Sequence, residues 1–145
     1  MKLLKQPILN TKATKNNRKY SSDLIGLIEQ QINRREKSRN LGMIGYPEGL
    51  DVDLSQVAFV YFNAVVEGDV LYVDIETLNT SKGIELERTL ESENDICFRP
   101  GGSATLEGDM PDETYNLLNV PKHVSNDYQL ITIAAITGNE DALNF

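Results

Sequence analysis

Leu71, Val73, Ile75 and Thr77 alternate with Tyr72, Asp74, Glu76 and Leu78, and this period of two predicts a strand over 70–78 with one buried face. The apolar run over 55–66 predicts a second strand, and Glu67-Gly68-Asp69 joins the two as a hairpin. Elsewhere the period is helical. Leu24, Ile25, Leu27, Ile28 and Ile32 form one stripe, with Glu29, Gln30 and Arg34 outside it. Ser21 or Ser22 supplies an N-cap and Asp23 a favourable first-turn charge, so a helix is expected over 22–35, docked on a sheet. Thr80 or Ser81 caps a second helix that runs to about residue 90, with Ile84, Leu86 and Leu90 apolar.

The remaining segments are shorter. Residues 3–13, with Pro7 among them, read as an extended arm or edge strand, and Asn16-Asn17 as a turn. Gly42, Gly45, Pro47 and Gly49 mark 42–51 as a loop. Ile96-Cys97-Phe98 predicts a short buried strand ending at Arg99-Pro100-Gly101-Gly102, with 103–107 as its partner. Residues 108–119, with Pro111 and several acids, read as a surface loop, 128–137 as the last strand and 138–145 as a polar tail. The order β-α-β-β-α-β-β-β predicts an α+β fold: a mainly antiparallel sheet, curled or closed into a barrel, with two main helices. The chain then divides into an arm and first strand (1–20), one domain (21–137) and the tail (138–145).

Composition narrows the function. A chain of 145 residues, 40% hydrophobic and 25% charged, can bury one core. Its 14 Lys+Arg against 22 Asp+Glu leave a net charge of −8, which argues against general nucleic-acid binding. The basic residues concentrate in 1–39, among them Lys12, Lys15, Arg18 and Lys19. They form either a solvated basic face or a surface for a charged partner. The single cysteine, Cys97, excludes an internal disulfide and fits a reducing cytoplasm. No apolar run spans a membrane, and the first residues lack the apolar stretch of a signal peptide. Nothing matches a phosphate-binding loop or a zinc cluster, and Asp51, Asp53, Asp109 and Asp112 are scattered loop carboxylates. No cofactor or metal is expected.

The segments Asn16-Asn17-Arg18-Lys19-Tyr20-Ser21, Leu41-Gly42-Met43-Ile44-Gly45-Tyr46-Pro47, Val52-Asp53-Leu54-Ser55, the Glu67-Gly68-Asp69 turn, Leu78-Asn79-Thr80-Ser81-Lys82-Gly83, Ile96-Cys97-Phe98-Arg99-Pro100-Gly101-Gly102 and Asp127-Tyr128-Gln129-Leu130-Ile131-Thr132-Ile133 carry a resemblance. In that order and spacing the set resembles the prohead (capsid-maturation) serine proteases of tailed phages, over roughly residues 8–140. The resemblance implies a maturation-protease fold and a viral context. It also implies where chemistry should sit. The family's histidine falls on Tyr46 and its glutamate on Met43; a phenol, with an ordinary pKa near 10, is a poor general base at neutral pH. The nucleophile falls on Cys97 if Arg99 is the motif arginine, or on Arg99 if the glycine pair is aligned instead. The orienting aspartate falls near Ala134 and Ala135. The only histidine, His123, lies where the family motif places no catalytic group.

Base and orienter are thus replaced, and the resemblance implies a pseudoenzyme. The expected role is a non-catalytic capsid protein, as a decoration or minor head component in the virion, assembled in the host cytoplasm. It would bind the major capsid protein and other head proteins, with Lys12, Lys15, Arg18 and Lys19 in the contacting arm. Self-association stays open. Two alternatives stand beside it: an active protease using Cys97 with His123 as a relocated base, and an assembly-stage regulator that pairs with a scaffold or protease.

Overall fold

A computed structural model describes residues 1–14, 17–92, 95–107 and 110–137. Lys15, Asn16, Asp109 and the tail 138–145 lie outside the described residues. The main sheet has six strands: β1 (Lys2–Asn10), β3 (Leu41–Ile44), β4 (Val57–Glu67), β5 (Val70–Thr77), β6 (Ile96–Ser103) and β9 (Gln129–Thr137). They lie in the order β1-β5-β4-β3-β9-β6. All pairings are antiparallel except β3 with β9, which run parallel. The two edge strands, β1 and β6, come back into contact, so the sheet curls into a half-barrel. Three short strands, β2 (Arg18–Lys19), β7 (Leu106–Glu107) and β8 (Lys122–Val124), make a second sheet in the order β2-β8-β7.

The helical stripe behaves as its spacing requires. Helix α1 (Ser22–Arg34) starts at Ser21, whose Oγ accepts the Leu24 N–H at 3.1 Å. It buries Leu24, Ile25, Ile28 and Ile32 against the half-barrel. Helix α2 (Ser81–Glu91) starts at Thr80 and buries Leu86, while Ile84 stays exposed. In β5 the four residues Leu71, Val73, Ile75 and Thr77 are all buried, and their neighbours are not. Three of these, Leu71, Val73 and Ile75, are apolar and fully buried, and at roughly 2 kcal/mol each they explain why this strand keeps its register.

Several elements differ from the sequence expectation. The 42–51 loop begins with strand β3, which sits at the centre of the sheet rather than outside it. β6 does not end at Phe98 but continues through Arg99, Pro100 and Gly101 to Ser103. Proline is tolerated there because β6 is an edge strand and pairs on one side only. Its partner is β9, and the 103–107 segment instead supplies β7, which pairs with β8. The 108–119 stretch contains a short helix, α3 (Asp112–Leu117). Of the two readings offered for the first residues, arm or edge strand, the second holds: Lys2–Asn10 pair with β5 at the sheet edge and bury Ile8 and Leu9.

The basic residues near the start are partly engaged. Arg18 Nη2 lies 3.0 Å from one Asp112 oxygen and Lys122 Nζ lies 2.9 Å from the other, so one carboxylate ties β2 and β8 to α3. Lys122 and then Arg18 hold the Asp112 carboxyl below its ordinary 3.8. A depressed value in the fold means the stabilisation is present above pH 3.8 and lost as pH falls through the folded value. Asp112→Asn is therefore expected to leave less acid-side loss of stability than the parent below that pH. Urea midpoints measured from pH 5 downward check this. A parent and variant with parallel profiles would show that the bridge is energetically silent, as exposed pairs often are.

Candidate functional site

Two of the chemistry positions that the resemblance implies lie on the neighbouring strands β6 and β9, and the third, Tyr46, lies in the loop that follows β3. β9 runs between β3 and β6, so Met43 pairs with Ala134 and Ala134 with Arg99, giving one row of three side chains on one face. Along β6 that same face carries Cys97, Arg99 and Gly101, because alternate strand residues share a side. The opposite face carries Phe98, Ile133 and Ala135, which belong to the main core. Ala134 and Ala135 are both buried, one on each face.

Tyr46 reaches the outer face by a chain reversal. Gly45 has φ +78°, the left-handed region that glycine enters without a Cβ penalty, and its N–H donates to the Ala135 carbonyl at 2.9 Å. The loop then folds back so that Pro47 Cδ lies 3.2 Å from where a Cβ on Gly101 would be. Glycine at 101 is what lets the loop approach β6 so closely. Pro47 thus stands level with Gly101; Arg99 lies one same-face step along β6 and Cys97 two steps. At 3.2–3.4 Å per residue those steps are roughly 7 and 13 Å. Of the two candidate positions on β6, Arg99 is thus nearer than Cys97 to the point where Pro47 rests.

Cys97 is buried and pairs across the sheet with Ile136. His123 is exposed on the second sheet, paired with Lys19 and Glu107. Arg99 is buried too, and its Nη1 donates to the Phe98 carbonyl at 2.9 Å. Of the basic residues assigned to partner contact, Lys12 is exposed, Lys19 is half-buried and Arg18 is held by Asp112.

Tyr46 itself is 53% exposed and lines an open cleft of about 570 Å³ between β3 and the 46–53 loop. Met43, Glu48, Leu50, Asp51 and Asp53 share the lining. The sequence had marked Tyr46 and Met43 only as altered chemistry positions; that acidic loop residues surround them emerges from the reversal at Gly45. Behind the cleft lies a cluster of phenols. Tyr128 packs edge-on against Tyr20, with centroids 5.9 Å apart, and its ring end lies 2.4 Å from the position of a Cβ on Gly102. Burial above all, and then the neighbouring phenols of Tyr20, Tyr61 and Tyr46, hold the Tyr128 hydroxyl well above its ordinary value. Burial also pushes Tyr61 up to about 12, against the opposing pull of the Arg35 guanidinium. Both phenols stay neutral at physiological pH. Among the described residues no group of three or more His, Cys, Asp or Glu side chains is placed to hold a metal ion.

The curled, mixed six-stranded sheet with helices packed on it, its one parallel pair β3–β9 and the reversed loop that lies against β6 make an α+β fold of the phage capsid-protease kind. The solved structure of the bacteriophage T4 capsid assembly protease, gp21, superposes with a TM-score of 0.72, covering 95% of this chain and 92% of that one at 15% sequence identity. No protein-family profile matches the sequence, and no curated protein sequence does. The shared fold is clear at a level of identity where side-chain chemistry does not transfer.

Proposed function

We propose that this chain is a non-catalytic phage head protein, a pseudoenzyme that keeps the maturation-protease fold and uses it to bind the major capsid protein in the virion. One observation carries the reading. The row Met43–Ala134–Arg99, lying where β3, β9 and β6 meet beneath the Tyr46 loop, consists of a thioether, a methyl group and a guanidinium. None of these takes and returns a proton at neutral pH, which hydrolysis through an activated nucleophile requires. Cys97, the nucleophile of the alternative reading, is buried on β6, and His123 is on the other sheet. Glycines around the site serve the fold instead: Gly45 the reversal, Gly101 the approach of Pro47 and Gly68 (φ +60°) the hairpin.

Quantitative mass spectrometry of purified particles that carry this chain tests the proposal. The expected result is an intact chain at a fixed, stoichiometric copy number, together with capsid protein that acquires no new termini when incubated with the recombinant chain. Cleavage that disappears in Cys97→Ala would overturn it in favour of the cysteine protease. Presence in proheads with absence from mature particles would replace the structural role with an assembly-stage one.

A further inference from the structure

We infer that the cleft beside Tyr46 is a docking groove for an extended segment of a partner protein that carries both basic and apolar side chains. The inference rests on the non-catalytic reading above and says which surface does the binding. The groove, of about 570 Å³, is in the size range that accommodates several side chains. Two of its lining residues are large, apolar in part and open to solvent: Tyr46 is 53% exposed and Leu50 is 73% exposed. Tyrosine in such a place is a favoured binding anchor, because it offers a rigid ring with little rotamer entropy to lose.

The charge of the groove selects the partner. Glu48, Asp51 and Asp53 line it. Asp53 is occupied locally, accepting from the Ser55 N–H at 3.0 Å and hydroxyl at 2.6 Å, which hold its carboxyl below the ordinary value. Glu48 and Asp51 form no ion pair with any described residue, although Asp51 also lines a second cleft that carries Arg35 and Arg39. Covering carboxylates that have no ion-pair partner, Glu48 above all, with an apolar or acidic segment leaves them desolvated and unpaired, which is costly; a lysine or arginine removes that cost. The same cation can lie over the face of Tyr46. In an extended segment alternate side chains point to opposite sides, so a basic and apolar alternation presents cations to the carboxylates and aliphatic groups to Leu50 and Met43. Across the 50–52 stretch the sign changes: the second cleft, of about 500 Å³, carries Arg35 and Arg39. An acidic peptide is therefore the informative contrast.

Fluorescence anisotropy with short labelled peptides tests the groove. A peptide of alternating leucine and lysine is expected to bind about tenfold tighter than either its leucine–glutamate or its serine–lysine counterpart. Tyr46→Ala should weaken it about tenfold and Tyr46→Phe much less. The pair Glu48→Gln with Asp51→Asn should weaken it several-fold, whereas Glu91→Gln with Glu113→Gln, which removes equal charge from exposed positions on α2 and α3, should not. All these side chains are exposed or line the open cleft, and melting curves confirm that the variants fold. Equal binding of the three peptides, equal loss from both charge pairs, or indifference to Tyr46→Ala would each overturn the inference. Mass analysis of the recovered peptide keeps the two readings apart. A cleaved peptide sinks the non-catalytic proposal, while the affinities still decide the groove.

Discussion

Gly83→Ala is expected to destabilise this protein by about 3 kcal/mol and to lower its melting temperature by roughly 10 °C. On helix propensity alone the sign would be the reverse, since alanine is favoured over glycine inside a helix by about 1 kcal/mol. Packing decides against it. A Cβ at residue 83 would lie 1.9 Å from the Leu78 carbonyl oxygen and 2.9 Å from that of Ala58. Both obstacles are backbone, and neither is free to move. The Ala58 oxygen accepts the Leu78 N–H at 2.9 Å, and the cap above it is a shared device: Thr80 Oγ1 donates to the Val57 carbonyl at 2.8 Å and accepts the Gly83 N–H at 2.9 Å. To admit a methyl group, α2 must lift away from β4 and break this arrangement. Thermal or urea unfolding of the variant measures the cost. A variant as stable as the parent would mean that α2 is not seated on β4 at Gly83.

That glycine illustrates what the sequence could and could not tell. The 3.6 and 2.0 periods depend on one face meeting a core, so α1 and β5 were legible to within a residue at each end. Gly83 was visible as a residue in a capped helix, but its reason lies in two carbonyls outside that helix. β3 was hidden for the same cause. Gly42 and Gly45 read locally as loop, yet Gly42 is in a strand because the Phe59 ring occupies the space its side chain would fill. The second sheet was invisible because β2, β7 and β8 have two or three residues each, and β2 meets β8 from some hundred residues away. For the site, the family resemblance could point to Tyr46, Cys97 and Ala134 one at a time. It could not place Cys97 or Arg99 relative to the Tyr46 loop, since Pro47 resting on Gly101 is a contact made only by the folded chain.

Phe59→Ala is expected to cost about 4 kcal/mol, and in that background Gly42→Ala should cost nothing further. Phe59 is fully buried on β4 and stands edge-on to Phe98 of β6, with centroids 5.4 Å apart at 80°. Its ring also covers Gly42 of β3: a Cβ there would sit 2.0 Å from Phe59 Cε2. One side chain thus fixes the spacing of the strands that bring Met43 and Arg99 into a row with Ala134. Truncating it leaves a cavity among rigid strands, which places the cost within the range for core aromatics. In the parent, Gly42→Ala drives a methyl into that ring and should cost about 2 kcal/mol. With the ring removed, the same methyl enters empty space and gains the usual advantage of alanine over glycine within a strand. The two substitutions should therefore be strongly non-additive, with a coupling of about 2 kcal/mol, within the range found for residues in contact. Urea unfolding of the two single variants and the double variant closes the cycle. Additive costs would mean that Phe59 and Gly42 do not touch, and that β3 is held in the sheet by its parallel pairing with β9 rather than by this ring.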